Sequence, residues 1–533
     1  DFNAYIKDAE VIGHNIIGYD VPVLERLLGT DFSSCKITDT LVLSRLTDPS
    51  REGGHSLDSW GQRLGFPKGE HSDWDTFSQD MVDYCKQDVL VNVKVYNALR
   101  SVLAGFGSES ISLEHQVQSI ITKQTDNGWL LDQEHAFILL AKLKEKKYDL
   151  EDKVHETFKP LPTFIKEITP KYKKDGTMSV VGLKFLGDQW ENYTAPFSRI
   201  DYPAFNLGSR QQIGRYLQFF GWKPEKFTEK GHIIVDEAIL SKVTGIPEAN
   251  MIAEYLMVQK RIAQVQSWLD AVKDDGRVHG YVNANGAVTG RMTHSSPNVA
   301  QVPSSSAPYG KDCRACWTVP KGYKVVGMDA SGLELRMLAH YMNDEGYTNE
   351  ILTGDIHTAN QLASGVDTRS QAKTFIYAFL YGAGDAKIGS IVGGTAVDGR
   401  RLKAKFLSNT PSLKDLRERV SVASGRGYVH GLDRRRVAVR SEHSALNTLL
   451  QSAGAIVMKK ALCLLDEYAS AWKIDYKFIG NIHDEIQTEV RADEAEVFGR
   501  LAVSCVEAAG TYYNLNCPLA GEYQVGDNWS ETH

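Results

Sequence analysis

Arg369-Ser-Gln-Ala-Lys373-Thr-Phe-Ile-Tyr377-Ala-Phe-Leu-Tyr381-Gly382 decides how this 533-residue chain is read. Two cations and two tyrosines recur at every fourth position. A helix of about 3.6 residues per turn gathers such positions into a slowly drifting stripe on one face. Thr368 with Gln371 has the form of a capping box, and Gly382 supplies a stop. Arg369 and Lys373 sit near the helix start, where the macrodipole favours acids instead. Cations followed by flat rings can hold a phosphate tail and then stack a base. The stretch therefore predicts a nucleoside triphosphate site on one helix face. Taken alone, it leaves open a solvated basic face with core tyrosines.

Two acid-bearing turns lie on either side of that helix in the chain. Lys324-Val-Val-Gly-Met-Asp329-Ala-Ser-Gly-Leu-Glu334 is an apolar run that ends on an acid and then changes to helical spacing. It predicts a strand-to-helix junction with Asp329 at a sheet edge. Phe478-Ile-Gly-Asn-Ile482-His483-Asp484-Glu485-Ile486-Gln487 reads as strand, tight turn, strand, with His-Asp-Glu at the tip. Such a tip is usually a solvated turn. Two aspartates brought together from remote segments are, however, what a two-metal phosphoryl-transfer site needs. Mg²⁺ takes carboxylate and phosphate oxygens and keeps several waters, so few protein ligands suffice. One ion would lower the pKa of an attacking 3′-hydroxyl and the other would hold a leaving pyrophosphate.

In order and spacing, Asp329 to Glu334, Arg369 to Gly382 and His483-Asp484-Glu485 resemble motifs A, B and C of family A DNA polymerases. The string from Gly354-Asp-Ile-His357-Thr to Tyr381-Gly-Ala-Gly384 is highly specific to that family. The similarity follows the bacteriophage replicative branch along the whole chain. It implies an α/β multidomain protein: an incomplete RNase H-like 3′–5′ exonuclease domain, then a right-hand polymerase with antiparallel-sheet palm, helical fingers and helical thumb. The boundaries expected are exonuclease 1–108, thumb 109–270 with an insertion at 159–204, palm 271–341 and 447–533, and fingers 342–446.

The resemblance also implies roles. Asp329 and Asp484 would bind two Mg²⁺ ions, with Glu485 a catalytic carboxylate of lesser weight. Arg369, Lys373 and His357 would contact the triphosphate of the dNTP, Lys373 also serving as acid for pyrophosphate. Tyr377 would pack on the incoming sugar and Tyr381 near the templating base. Glu334 would hydrogen-bond Tyr377 and close the sugar pocket. Arg291, Asn447 and Gln451 would read the minor groove of the primer–template DNA, with His483 a further DNA contact and His533 near the primer. Minor-groove acceptors are nearly the same for every correct pair, so such contacts check pair shape without reading sequence.

Composition alone points elsewhere. Sixty Lys and Arg against 67 Asp and Glu leave a net charge of −7, unlike most nucleic-acid proteins. DNA contact must then come from local basic runs such as Arg434-Arg435-Arg436 and Lys171-Tyr-Lys173-Lys174. Seven cysteines, an odd number, argue for a reducing compartment, and Cys313-Arg-Ala-Cys316 lacks the second pair that zinc needs. No apolar run reaches the roughly 18 residues of a membrane span, and no signal peptide is visible. Gly425 to Gly431 is read as a turn rather than a nucleotide loop.

The first hundred residues suggest a weaker second site. Gly13-His14-Asn15-Ile-Ile-Gly-Tyr19-Asp20 and Tyr84-Cys-Lys-Gln-Asp88 resemble the second and third motifs of DnaQ-type exonucleases. By that resemblance Asp20 and Asp88 would be metal ligands and Tyr84 would orient water. Asp8-Ala-Glu10 has the spacing of the first motif but is expected on a helix, as a decoy. The chain starts without Met and aligns from some tens of residues into its relatives. It is therefore expected to be a fragment without its first exonuclease strand, and inactive as a nuclease.

Long helices to about Phe158 and near Glu254 to Arg261 are expected in the thumb. The insertion is expected to form a hairpin around Lys174 to Gly176. In the phage branch an insertion here binds host thioredoxin. Here the insertion is expected to be either a contact for a thioredoxin-like processivity factor or a self-contained DNA-gripping loop; a phage helicase-primase is the other accessory partner implied, and the cytoplasm of an infected bacterial host the location. The readings in other classes are a non-catalytic primer–template binding factor and a nuclease with a vestigial polymerase half.

Overall fold

The helix Arg369–Leu380 forms as its spacing predicts. Ala372, Phe375, Ile376, Phe379 and Leu380 bury one face, while Arg369, Lys373 and Tyr381 stay exposed on the other. Both halves of the Thr368–Gln371 capping box are made, and Gly382 takes φ 72° just past the end. The computed structural model describes residues 2–179 and 195–532, and they form two compact units. The first unites residues 1–132 with 271–533; the second is 133–270. His533 and residues 180–194 of the insertion lie outside the described residues.

The first unit is built around a four-stranded antiparallel sheet. Tyr323–Ala330 lies between Glu485–Arg491 and Gly521–Gly526, and Tyr476–Ile482 pairs on the outer side of Glu485–Arg491. The register sets Asp329 opposite both Glu485 and Glu522. Val325, Val326 and Met328 are buried where helix Ala495–Tyr512 packs on the strand, and helix Ala445–Ala471 packs on that helix in turn. Ala445–Ala471 is long and apolar enough to cross a membrane, contrary to the run-length reading. Most of its side chains are buried in the protein core, and its Lys459 ammonium is paired inside, which marks a core helix.

Residues 109–132, expected with the thumb, group with the first compact unit. Helix Ser108–Asn127 buries Leu113, Val117, Ile120 and Ile121 in the same core as the sheet. Its Glu114 accepts from Lys459 Nζ at 2.6 Å and from Arg435 Nη1 at 2.6 Å. Arg435 also meets Asp433 at 2.6 Å and is only 3% exposed, so the middle of the expected DNA-facing arginine run is a buried partner instead. Buried charges persist only when paired in this way. Arg434 and Arg436 remain exposed.

Near the N-terminus, Glu10–Gly13 and Lys36–Asp39 pair in parallel. Glu10 thus opens a strand, not the helix expected for Asp8 to Glu10, and its carboxylate meets Lys36 at 2.9 Å. In the second unit, helix Gln133–Thr157 pairs with the helix Pro247–Ala271 through Lys146 and Glu254 at 2.9 Å. Strands Thr163–Ile168 and Phe197–Asp201 are antiparallel, and the turn expected at Lys174 to Gly176 is present, with Gly176 at φ 84°. Gly427 at φ 82° makes the turn expected between helix Pro411–Ser424 and strand Tyr428–His430.

Candidate active site

The sheet brings together the two acids that the sequence keeps far apart. Asp329 is the penultimate residue of its strand, and the next residue, Ala330, donates its N–H to the Asp484 carbonyl at 3.3 Å. Asp484 and His483 form the two-residue tip between Tyr476–Ile482 and Glu485–Arg491. His483 takes φ 59°, the left-handed geometry that short hairpin turns demand, and is exposed. Burial first, and then the charges of Asp484, Glu485, Glu522 and Glu334, push the Asp329 carboxyl up to about 7. Burial, followed by Glu334, raises Asp484 as well. Beside them lies a pocket of about 40 Å³ lined by Arg291, Leu333, Lys459, His483 and Asp484. That is room for roughly three waters.

Glu485 also lines the pocket, but its carboxylate is engaged from within the protein. It is 6% exposed, and its Oε2 accepts from Trp529 Nε1 at 3.1 Å and Gln487 Nε2 at 3.0 Å, while Oε1 faces Arg314 at 3.5 Å. Both oxygens of the carboxylate expected to be catalytic are therefore engaged by side chains of the protein. Arg314 and Trp529 carry no motif in the sequence that marks them as partners of Glu485.

On the helix Arg369–Leu380 the guanidinium of Arg369 grips Asp355 with both arms, at 2.6 and 3.1 Å. This neighbouring arginine holds the Asp355 carboxyl well below the usual range. Asp355 also caps helix Ile356–Ser364 by accepting from the His357 and Thr358 N–H groups. His357 thus sits with its ring centroid 6.4 Å from that of Tyr377. Burial and the cations Arg369 and Lys373 lower its pKa, so it is neutral at pH 7. Its Nδ1 is buried without a partner among the described residues. Asp355 stood inside a string quoted for the family, but only the fold reveals it as the partner of Arg369.

Glu334 was expected to bond Tyr377. Instead it accepts from the Tyr381 hydroxyl at 3.1 Å and from Arg291 Nη2 at 3.3 Å. Burial and this acid push the Tyr381 hydroxyl up to about 12. Tyr377 is half-buried, and the charges of Glu334 and Asp484 raise its pKa after burial does. It therefore stands in the field of the acidic pair, one turn before Tyr381. Asn447 and Gln451 are half-buried on helix Ala445–Ala471, four residues apart, and Ala455 and Met458 along that face line the pocket with Arg291.

The N-terminal residues are arranged differently. Asp88 is ion-paired with Lys68 at 3.0 Å, and the Lys68 ammonium lies 5.0 Å from the centre of the Tyr84 ring. Asp20 opens helix Asp20–Leu28; burial raises its pKa, with Asp39 the acid it feels. Asp39 itself is buried and accepts from the N–H groups of Asn15, Ile17 and Leu41. The structure brings Tyr84 to Asp88 through Lys68, but couples Asp20 to Asp39.

A sheet edge with two coupled acids, facing a helix that presents cations and tyrosines, defines a nucleotidyl-transfer site. Residues 184–531 match the model of DNA polymerase family A. The DNA-directed DNA polymerases of Escherichia phage T7 and Enterobacteria phage T3 are each 37% identical over all of this chain and 95% of their own. The thermostable DNA polymerase I of Thermus aquaticus is 28% identical over 61% of this chain and 42% of its own. The fold is similar to the POL domain of Pol1 from M. smegmatis, solved in complex with DNA primer-template and dNTP. That match has a TM-score of 0.76 at 20% identity and covers 93% of this chain and 82% of the other. The chain belongs to DNA polymerase family A, and it is a DNA-directed DNA polymerase.

Members of this family use divalent metal ions, and the donors present fit one. Asp329 and Asp484 are hard oxygen ligands of the kind Mg²⁺ prefers. Their pKa values are raised by burial first and by neighbouring acids after it, and a bound cation would oppose both effects. Cys313 and Cys316 are both buried, and among the described residues no group of three or more His, Cys, Asp or Glu is arranged to hold a metal by itself. The remaining positions around an ion at Asp329 and Asp484 would fall to phosphate and water.

Proposed function

We propose that the chain extends a primer on a DNA template by two-metal transfer of a nucleotidyl group from dNTP, with release of pyrophosphate. The observation that carries this is that the sheet brings Asp329 and Asp484 together, through the Ala330 N–H on the Asp484 carbonyl, with both carboxyls desolvated and the Asp484 charge felt by Asp329 and Tyr377. Mg²⁺ held by these two carboxylates would lower the pKa of the primer 3′-hydroxyl and neutralise the departing phosphates. The side chains do the rest. Arg369 leaves Asp355 to take phosphate oxygens, joined by Lys373 and neutral His357, and Lys373 offers a proton to the pyrophosphate oxygen. Tyr377 bounds the sugar position, so dideoxynucleotides are accepted. Glu334 holds Tyr381 and Arg291 on the two sides of the new base pair. Arg291, Asn447 and Gln451 line the minor-groove side, with His483 at the primer end.

In this reading residues 1–108 are an exonuclease-like domain, the second unit is the thumb, 342–446 are fingers, and the sheet with its helices is the palm. The nuclease site of residues 1–108 is read as inactive, because the Asp88 carboxylate is closed on Lys68. The 159–204 insertion is a candidate contact for a thioredoxin-like factor, and a phage helicase-primase a candidate replication partner. The work would be replication of phage DNA in the cytoplasm of an infected bacterium. Extension of a 5′-labelled primer with Mg²⁺ and one dNTP at a time tests the core of this. Addition only of the complementary nucleotide, abolished by Asp484→Ala, is expected. Tight primer–template binding without extension would favour a non-catalytic binding factor.

A further inference from the structure

Under the hairpin that carries Asp484, a second set of buried side chains is committed to one another. Trp529 is 0% exposed in the short turn Trp529–Glu531 and donates Nε1–H to Glu485 Oε2 at 3.1 Å. Gln487 donates to the same oxygen at 3.0 Å, and Gln487 in turn accepts from the Thr532 hydroxyl at 3.0 Å. Arg314 faces the other oxygen at 3.5 Å, with its guanidinium carbon 4.3 Å from the centre of the Trp529 ring. Its Nε–H is fixed on the Pro303 carbonyl at 3.1 Å. Trp129 packs 4.9 Å from Trp529 and 5.4 Å from Trp317. Glu485 is therefore held from three sides by groups that are themselves held.

This arrangement costs more than a hydrophobic filler would, since a buried ion pair rarely repays its desolvation. What it supplies is a fixed direction. Glu485 adjoins Asp484 in the chain and is paired in register with Asp329. Immobilising its carboxylate fixes the peptide from which Asp484 projects, and sites that place charge tolerate errors of only about half an ångström.

We propose that Trp529 and Arg314 are positioning residues for the polymerase site, clamping Glu485 so that Asp484 presents its oxygens to a divalent cation. The inference rests on the reading of Asp329 and Asp484 as metal ligands. Trp529→Phe removes one N–H and keeps a ring against Trp129 and Arg314. Glu485→Gln keeps the shape and an acceptor for Trp529 but removes the charge facing Arg314.

The test measures Mn²⁺ binding by electron paramagnetic resonance in a complex with dideoxy-terminated primer–template and dNTP, together with kcat, KM and melting temperature. Both variants are expected to bind Mn²⁺ about tenfold more weakly and to extend about tenfold more slowly, with dNTP KM and primer–template Kd within about twofold. The double variant should be no worse than either single one, because both break the same link. Wild-type Mn²⁺ affinity and rate in Trp529→Phe would overturn the proposal. So would multiplicative effects in the double variant, or losses that track the unfolded fraction alone. Absence of extension by the wild type would instead fault the polymerase reading, and unchanged Mn²⁺ affinity in the variants would still overturn the clamp.

Discussion

The chain gathers acids in two places, and the fold treats them in opposite ways. At the four-stranded sheet of the first unit, Asp329 and Asp484 are partly desolvated, Asp329 feels the charge of Asp484, Asp484 lines a pocket, and among the described residues neither carboxylate is held in a salt bridge. Near the N-terminus, Asp88 is matched by Lys68 at 3.0 Å, and Asp39 is spent on three backbone N–H groups. A metal gains most where carboxylates are left uncompensated, and least where a lysine already occupies the place. The number of acids is thus a poor guide. What differs between the two places is whether the protein itself neutralises them.

The sharpest way to break this comparison is to remove one acid from each place. Asp484→Ala should lower primer extension by about a thousandfold or more, on the order of 4 kcal/mol in barrier. Asp88→Ala should change nothing, because wild type should show no Mg²⁺-dependent 3′ degradation. Degradation by clean protein that vanishes in Asp88→Ala would make the two sites equals. Next in size, Tyr377→Phe should raise discrimination against dideoxynucleotides by on the order of a hundredfold. Equally poor incorporation by both forms would remove Tyr377 from the sugar pocket.

A pH series sharpens the electrostatic half. The ordinary carboxyl value of 3.8 rises to about 7 at Asp329, so the folded protein binds that proton more tightly than the unfolded chain. The stability this contributes is complete below about 4 and is lost as pH rises through about 7. Without metal, Asp329→Asn should therefore melt above wild type at pH 8 and close to it at pH 4. Mn²⁺ affinity should fall by up to about tenfold per pH unit below 7, since the cation competes with the proton. Smallest of all is Asp355→Asn. Asn still caps the His357 helix but frees Arg369, so KM for dNTP should drop a few-fold. A raised KM would mean that Asp355 orients Arg369 rather than competing for it.

Much of the polymerase site was legible in the sequence because its signals are local. Steps of four fix a helix face, Thr368 and Gln371 fix its start, and an apolar run ending in Asp329 fixes a strand end. The partners of long side chains were less legible. Glu334 reaches Tyr381 and Arg291 rather than Tyr377, and Arg369 closes on Asp355. Which of two tyrosines one turn apart meets an acid depends on how two helices cross, and sequence spacing does not encode that.

By itself the sequence determined the periodic elements, the order of the three motifs and the residue types at each. Those follow from backbone sterics and side-chain spacing, which act over a few residues. Only the tertiary structure decided that Arg435 is a buried partner of Glu114 while Arg434 and Arg436 stay exposed, and that Glu485 is anchored beside an open Asp484. Burial and charge pairing are set by what the rest of the chain brings alongside, so neighbouring residues in one short run can end in opposite environments.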